Sequence, residues 1–301
     1  MKFGKVDNPE EIDFTLPADH PDTGKVLGAN DKPLQTVSVG CAKWNKADLK
    51  GFYPRGTKDE LGYYSNEFNS IELNATFYNL YKEEQILKWK ERTPEDFKFF
   101  PKLPRYVSHL KRLSAGYEDY LDDYLVGIQA FGDQLGMLFL QLHDNFGPKE
   151  ENFNRLKNFI DKFPHDLPLA VELRHTDWFG NQEVADELYD LLVKNNISNI
   201  LVDSAGRRDI MHMRLTTPTA FVRYVGANHE SDYNRLDDWI ERIKTWKEQG
   251  LENLYFFIHQ NVEKESPLLA AKFIKKLNEA IGTDIKIPQM PQDKQGSLDL
   301  K

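Results

Sequence analysis

The chain of 301 residues has a mass of 35.0 kDa, which suits one large α/β barrel or two domains of average size. Apolar residues make up 40% and charged residues 29%, a balance typical of globular proteins that excludes collagen-like, disulfide-scaffold and wholly disordered chains. The net charge of −9 disfavours nucleic acid and anionic membranes as partners and leaves nucleic acid only a local basic patch.

The sequence carries several indications of cellular compartment. Cys41 is the single cysteine, so no internal disulfide can form, which indicates a reducing compartment. No run of ~18 apolar residues, the length that a membrane span requires, is present. Residues 1–20 are polar and acidic and lack the apolar core of a signal peptide. The sequence therefore predicts a cytoplasmic protein that does not associate with membranes.

Composition divides the chain into an arm, a body and a tail. Residues 1–35 are rich in Asp, Pro, Gly and Lys without sustained periodicity, which predicts an extended or partly disordered arm over the body. Residues 36–287 form the body, and residues 288–301 are predicted to be a surface tail. Eight near-continuous apolar runs in the body predict strands buried on both faces: Thr36–Cys41, Ser70–Ala75, Lys98–Lys102, Met137–Leu142, Leu169–Arg174, Asn199–Asp203, Ala220–Val225 and Leu254–His259.

Amphipathic helices are predicted between these strands, because apolar residues recur there at steps of three and four: Lys58–Phe68, Glu83–Arg92, Glu118–Phe131, Glu151–Phe163, Gln182–Asn195, Leu236–Lys247 and Leu268–Ile281. Alternating strands and helices predict a parallel sheet, and eight units predict closure into a single (β/α)8 TIM barrel. An open doubly wound sheet is the alternative. It is disfavoured because Gly40–Lys43, after the first strand, is not a glycine-rich phosphate turn.

Polar side chains collect at the C-terminal ends of the predicted strands, where TIM barrels place their active sites. Period-two alternation puts Glu72 with Asn74, and Glu172 with Arg174, on one face of their strands. Charged groups inside apolar strands are unfavourable unless they are paired. The sequence therefore predicts one cavity at this end of the barrel that is lined by Glu72, Asn74, Lys102, Glu172, Arg174, Asp203, Arg223 and His259.

Two interpretations fit this cluster. The first is a structural network of ion pairs that closes the top of the barrel. The second, which we favour, is a site for an anionic small molecule, in which the anion is bound by Lys102, Arg174 and Arg223. The groups that would then transfer a proton, and that form the expected catalytic set, are Glu72, Glu172, Asp203 and His259.

A metal centre is disfavoured at this cluster. Three cations near the carboxylates compete with a divalent ion, so the sequence predicts no cofactor, although a divalent metal with His259 among its ligands is the alternative. Loop residues are further candidates for substrate binding. Trp44 and Tyr78 would stack on a ring or cover the core, and His109 would bind phosphate or fasten its loop. Cys41 is expected to be a small buried side chain.

An ordered set of motifs runs along most of the chain. It begins with VGCAKW and YYSNEFNSIELNATFYNL, continues through WKERTPEDFKFFPKLPRYVSHLKRL, VELRHTDWF, LVDS and FVRYVGAN, and ends with FFIHQNVEKESPLLA. This set resembles the domain of unknown function 72 family, the YecE-like proteins, over roughly residues 37–290. The resemblance implies a TIM barrel and no settled activity.

The sequence is compatible with three functions, each of a different class. The favoured one is an enzyme, a hydrolase or a lyase or isomerase, that acts on a phosphorylated small molecule by acid/base chemistry. The second is a metal-dependent phosphodiesterase or nuclease similar to endonuclease IV. It is disfavoured because only His259 lies at a strand end, although Lys102, Arg105, Lys111 and Arg112 could form a basic patch. The third is a non-catalytic ligand-binding barrel.

Overall fold

Eight parallel strands form the wall of a barrel in the computed structural model, which describes residues 5–291. The strands lie side by side in the order β3-β2-β1-β8-β7-β6-β5-β4, and two isolated parallel bridges, Phe99 to Leu135 and Lys102 to Phe139, join β3 to β4. The α/β barrel expected from the sequence is thus confirmed. The strands are β1 (Thr36–Cys41), β2 (Ser70–Leu73), β3 (Lys98–Pro101), β4 (Leu138–Gln141), β5 (Leu169–Glu172), β6 (Ser198–Ser204), β7 (Thr219–Gly226) and β8 (Asn253–Gln260).

Side chains along each strand alternate between the barrel interior and the helix layer. One apolar cluster fills the interior and contains Phe100, Met137, Phe139, Ala170, Ile200, Val202, Ile210, Phe221 and Phe257. Alternate positions such as Leu201, Val222 and Phe256 belong to a larger cluster between the strands and the helices. This alternation fixes which side chains of a strand face the interior. It therefore decides which polar residues line the C-terminal end of the barrel, here called the mouth.

Helices cover the outside of the barrel, and local signals set their ends. Asp59 and Asn181 accept hydrogen bonds from the first free amides of two helices, and Gly250 and Gly282 end two others in the left-handed conformation. Within residues 5–291, no helix is both long and apolar enough to span a membrane. The helices are α1 (Pro21–Gly28), α2 (Glu60–Glu67), α3 (Ala75–Tyr78), α4 (Glu83–Lys90), α5 (Glu118–Gln129), α6 (Glu150–Lys162), α7 (Asp177–Gly180), α8 (Gln182–Lys194), α9 (Ser231–Gln249) and α10 (Ser266–Ile281).

The arm lies outside the barrel but is not simply extended. It contains the eight-residue helix α1, whose buried residues are Thr23 and Leu27, too few apolar positions to give a clear period in the sequence. The arm is fastened at Asp19, whose carboxylate accepts hydrogen bonds from Arg242 and, at 2.9 Å, from Trp246 Nε1. At the other end of the chain, the backbone N–H of Gln289 donates a hydrogen bond to Glu67 Oε2 at 2.9 Å. Residues 292–301 of the predicted tail lie outside the described residues. The domain boundaries at residues 35 and 287 stay a prediction.

The backbones of β1 and β2 lie in close contact at Gly40, and a substitution there tests this contact. It pairs with Ser70, and a Cβ on Gly40 would lie 2.2 Å from the Ser70 carbonyl oxygen. We expect Gly40→Ala to lower the free energy of unfolding by about 1–3 kcal/mol, measured by urea denaturation, because the backbone of one strand must move. The control is Gly24→Ala in α1, where no atom lies within 4 Å of the added Cβ. This control should be neutral or gain up to about 1 kcal/mol. Equal stability of both variants would refute the contact.

Candidate functional site

Arg223 on β7 lies at the centre of the mouth, between two carboxylates. Its Nε and Nη2 atoms donate to Glu72 Oε2 and Oε1, each at 2.8 Å, and its Nη1 atom donates to Glu172 Oε2 at 2.5 Å. Both carboxylates are fully buried. Glu72 belongs to β2 and Glu172 to β5, and neither strand neighbours β7 in the sheet. Arg223 therefore joins three separate parts of the barrel wall across the interior.

Each of the two carboxylates accepts further hydrogen bonds. Glu72 accepts from Asn74 Nδ2 at 2.8 Å and lies 2.9 Å from His259 Nε2. Glu172 accepts from Gln141 Nε2 at 2.9 Å and from Arg174 Nε at 2.5 Å. Hydrogen bonds from several donors favour the ionised form of a buried carboxylate.

The pKa values of the two carboxyls follow from these contacts. Burial by itself raises the pKa of Glu172, but the nearby charges of Arg174 and Arg223 outweigh it and lower that pKa to about 2. Burial likewise opposes ionisation of Glu72, yet Arg223 and His259 hold its pKa well below the usual range. Proton transfer by Glu72 or Glu172 stays a prediction, and these pKa directions disfavour it near neutral pH.

Lys102, directly after β3, has a different environment. Its Nζ atom donates to Gln141 Oε1 at 2.7 Å and lies 4.2 Å from the centre of the Phe77 ring. Among residues 5–291, no carboxylate oxygen lies within 4.0 Å of this amine. Burial, assisted by the nearby charge of Arg223, lowers the pKa of Lys102 to about 7. Burial thus favours the neutral amine far more than it is favoured in a solvent-exposed lysine.

These contacts form one continuous hydrogen-bonded chain, here called the mouth network. It runs from Lys102 through Gln141, Glu172, Arg223 and Glu72 to His259. Seven of the eight residues predicted to share the mouth either belong to it or are bonded to it. These seven are Glu72, Asn74, Lys102, Glu172, Arg174, Arg223 and His259.

Asp203 is the exception, and its predicted place in the mouth is wrong. Its carboxylate accepts from Arg235 Nη2 and Trp239 Nε1 of α9, each at 2.7 Å. Val202 faces the barrel interior, so strand alternation turns Asp203 toward the helices. The sequence prediction was one residue out of register at the end of β6. Asp203 fastens α9 to the barrel wall.

A pair of arginines at the edge of the mouth, Arg174 and Arg207, is here called the rim pair. Arg207 Nη2 donates to the Arg174 carbonyl oxygen at 2.7 Å, and both guanidinium groups lie 3.9 Å from carboxylate oxygens of Asp144. The two arginine side chains are 16% and 12% exposed. Sequence reasoning missed Arg207, although it follows the C-terminal end of β6 by three residues. A search of the whole loop would have found it.

His109 lies beside Lys102 in a π-helical turn, Tyr106–Leu110. Its ring is edge-on to Phe77 at 4.9 Å, and its Nδ1 atom is 2.9 Å from Ser108 Oγ. Burial and the charge of Lys102 lower the pKa of His109 to about 3, so the imidazole is neutral at pH 7. A neutral ring of this kind can donate or accept one hydrogen bond toward a ligand.

The two aromatic candidates line a separate cleft beside Glu72. This cleft has a volume of about 250 Å³ and is bounded by Trp44, Asn45, Asn74 and Tyr78. Trp44 packs edge-on against Trp89 at 5.7 Å, and Tyr78 is 68% exposed. The cleft brings Trp44 and Tyr78 close to the mouth network, at positions that suit contact with a ring. Cys41, by contrast, is fully buried and outside the cleft, as the sequence predicts.

One group of potential metal ligands occurs in the described part of the chain, and it lies away from the mouth. His20, Asp22 and Asp186 have ligand atoms within 4.8 Å of one another. Arg214 already bridges the two carboxylates, at 2.6 Å from Asp22 and 2.7 Å from Asp186. This guanidinium takes the position of a cation, so the donor set does not suit a metal ion.

The mouth network predicts a characteristic pattern of stabilities. Arg223→Met leaves two buried carboxylates without their cation, so we expect the free energy of unfolding to fall by about 3–5 kcal/mol. The triple variant Glu72→Gln, Glu172→Gln, Arg223→Met removes all three charges together and should lose less than the single variant. Chemical denaturation measures both. A triple variant that is less stable than Arg223→Met would refute the assignment of Arg223 as counterion.

The lowered pKa of Lys102 predicts that the free energy of unfolding depends on pH. The folded chain releases the Lys102 proton near pH 7, whereas in the unfolded chain this lysine keeps its proton up to about pH 10.5. The unfolded state thus binds more protons between these values, and Lys102 contributes a stability term that rises with pH. We expect Lys102→Met to be most stable relative to the wild type near pH 6 and to lose this advantage toward pH 10. Urea denaturation across this range tests it. A difference independent of pH would contradict it.

Comparison with known proteins supplies the family. The family model described as "Protein of unknown function DUF72" matches residues 38–295. The UPF0759 protein YecE of Escherichia coli K12 is 27% identical in an alignment of length 278 that covers 85% of this chain and 98% of YecE. The UPF0759 protein YunF of Bacillus subtilis is 28% identical in an alignment of length 151 that covers 48% of this chain and 52% of YunF.

Solved structures agree on the fold. A DUF72 family protein of Enterococcus faecalis superposes with a TM-score of 0.66 at 18% identity, covering 84% of this chain and 99% of that one. One from Thermotoga maritima gives 0.66 at 24% identity, covering 81% of this chain and 100% of that one. With its barrel and the family match over nearly the whole body, this chain belongs to the DUF72 family of YecE-like proteins.

Proposed function

We propose that this protein is an enzyme that binds an anionic small molecule at the mouth and exchanges a proton with it through Lys102. The observation that carries the proposal is the buried Lys102 amine, which is bonded to a neutral amide oxygen at 2.7 Å. A group whose pKa lies near neutrality serves as acid and as base in the same cycle. The pKa of about 7 for Lys102 meets that requirement.

The rim pair supports the anionic character of the substrate. Both guanidinium groups are partly exposed. Each has a short carboxylate contact through Nε, Arg174 to Glu172 at 2.5 Å and Arg207 to Asp209 at 2.8 Å, and a longer contact of 3.9 Å through Nη1 to the exposed carboxylate of Asp144. A phosphate or carboxylate that makes shorter, charge-assisted hydrogen bonds competes well with such a contact. The neutral His109 ring and the cleft of Trp44 and Tyr78 supply further contacts for the uncharged part of the molecule.

The ionised carboxylates have a positioning role in this proposal. Glu72 and Glu172 hold Arg223 rigidly, and Gln141 transmits the position of Glu172 to Lys102. Arg223 uses Nε, Nη1 and Nη2 on these carboxylates, so it is a weaker candidate for anion binding than the rim pair. The nearby cations also disfavour a divalent metal bound by Glu72 and Glu172. We place the reaction in the cytoplasm, which the single cysteine supports.

Calorimetric titration with inorganic phosphate tests the anion site. We expect the wild type to bind phosphate and Arg174→Gln to weaken binding at least about tenfold, because a hydrogen bond to a charged group contributes about 1.5–3 kcal/mol. Arg155→Gln is the matched control, since Arg155 pairs with Glu151 on the surface of α6, away from the mouth. Its affinity should equal that of the wild type.

Turnover is the second part of this test. In a screen of phosphorylated metabolites, Lys102→Met should retain phosphate affinity and lose turnover of any compound that the wild type converts. A wild type that does not bind phosphate, or that binds it equally well after the Arg174 and Arg155 substitutions, would overturn the anion site. Binding without turnover of any compound in the wild type would favour the non-catalytic ligand-binding barrel.

A further inference from the structure

We propose that Lys102 is a nucleophile that binds its substrate covalently as an imine, so that the substrate is an anionic aldehyde or ketone. This inference deepens the proposed function and rests on its placement of an anion next to Lys102. It adds a chemical class of substrate, a carbonyl compound, which neither the fold nor the family specifies.

The amine of Lys102 is buried without the carboxylate contact that would hold it as an ammonium ion, among residues 5–291. Lys102 Nζ donates a hydrogen bond to Gln141 Oε1 at 2.7 Å, and the centres of the Phe77 and Phe139 rings lie 4.2 and 5.9 Å away, contacts that compensate an ammonium charge less than a carboxylate would. Several exposed lysines of this chain do pair with carboxylates, as Lys276 does with Asp237 at 2.6 Å. An ammonium group without a carboxylate in contact is poorly stabilised in an apolar site, and a neutral amine has the lone pair that attacks carbonyl carbon.

Fixed charges of both signs surround Lys102 and act on its protonation in opposite directions. The cations Arg223 and Arg174 oppose protonation, and the anions Glu172 and Glu72 favour it. Burial and Arg223 prevail, which gives the pKa of about 7. Arg223 cannot move away, because three of its nitrogen atoms are held by two buried carboxylates. Desolvation and a neighbouring cation are the two conditions that activate lysine nucleophiles.

The chemical step balances without a further reactant. The Nζ lone pair forms a bond to the carbonyl carbon, the π electrons move to oxygen, and a proton passes from nitrogen to that oxygen to give a carbinolamine. Loss of the hydroxyl group with a second proton from nitrogen releases water and leaves the neutral C=N bond. No oxidant or reductant is consumed.

The amine and the rim pair belong to one connected set of polar groups. Three consecutive hydrogen bonds connect Lys102 to Gln141, Gln141 to Glu172 and Glu172 to Arg174. The substrate class that we propose therefore carries a carbonyl group for the amine and an anionic group for the guanidinium groups, and its smallest members are tested first. Glyoxylate, which has an aldehyde next to a carboxylate, is therefore the probe.

Reductive trapping tests the proposal. The protein is incubated near pH 7 with glyoxylate and sodium cyanoborohydride, which delivers hydride to the imine carbon, and the modified peptides are identified by mass spectrometry. We expect one carboxymethyl group, located on Lys102 and formed at least about tenfold faster than on any other lysine. Lys98→Met is the matched control, because Lys98 is the first residue of β3, at the opposite end of the barrel from Lys102, which directly follows that strand, and it should label as fast as the wild type.

Two variants keep the outcome decisive. Lys102→Met and Lys102→Arg should both lose the fast label, and Lys102→Arg preserves the positive charge if the Met variant fails to fold. Labelling spread over exposed lysines, with Lys102 unmodified in the folded wild type, would overturn the inference. Phosphate affinity is measured on the same samples. Loss of trapping with intact phosphate binding refutes the imine alone, whereas absence of both refutes the proposed function as well.

Discussion

The arrangement of the mouth depends on one interaction, the buried salt bridges of Arg223 with the carboxylates of Glu72 and Glu172. Glu72 and Glu172 lie on strands that do not touch each other, so the guanidinium group connects opposite sides of the barrel wall. The ions are taken out of water, which is favourable only when every donor and acceptor has a partner. Asn74, His259, Gln141 and Arg174 supply the remaining hydrogen bonds and are thereby positioned themselves.

The environment of Lys102 depends on these ion pairs through a neutral residue, Gln141. Gln141 directs its amide nitrogen to Glu172 and its oxygen to Lys102, so the lysine is oriented by a carboxylate that it does not touch. A carboxylate at position 141 would pair with Lys102 directly and hold it as an ordinary ammonium ion. The amide therefore separates two functions in one network, a fixed ion pair and a titrating amine.

Sequence periodicity predicted the barrel and most of the mouth because both depend on alternation. Once a strand is buried on both faces, each second residue must face the interior, which placed Glu72, Glu172 and Arg223 together. The same rule failed at Asp203, where a one-residue error in register exchanges the interior for the helix layer. The helices α3 and α7 have four residues each, about one turn, too few for a period to be recognised, and α1 lies in a segment without sustained apolar periodicity. Arg207 lies in a loop, where no period exists.

The chemistry assigned to individual residues was less predictable than their positions. The sequence shows that cations and anions meet at the mouth, but the partner of each charge depends on atoms that only the folded chain brings together. Lys102 and Arg223 are both cations at strand ends, yet one is bonded to an amide and the other to two carboxylates. Their protonation behaviour differs for that reason alone.

The apolar layer beneath the mouth affects both the ion pairs of Arg223 and the protonation of Lys102. Phe100, Phe139, Phe221 and Phe257 fill the barrel interior and exclude water from the lower side of the polar groups. Exclusion of water strengthens the attraction between Arg223 and its carboxylates, and it equally penalises an ammonium ion without a counterion. A purely structural network would have a carboxylate for each cation. Lys102 lacks one within 4.0 Å in the described chain, and this imbalance is the observation on which our proposal of a chemical role for the mouth rests.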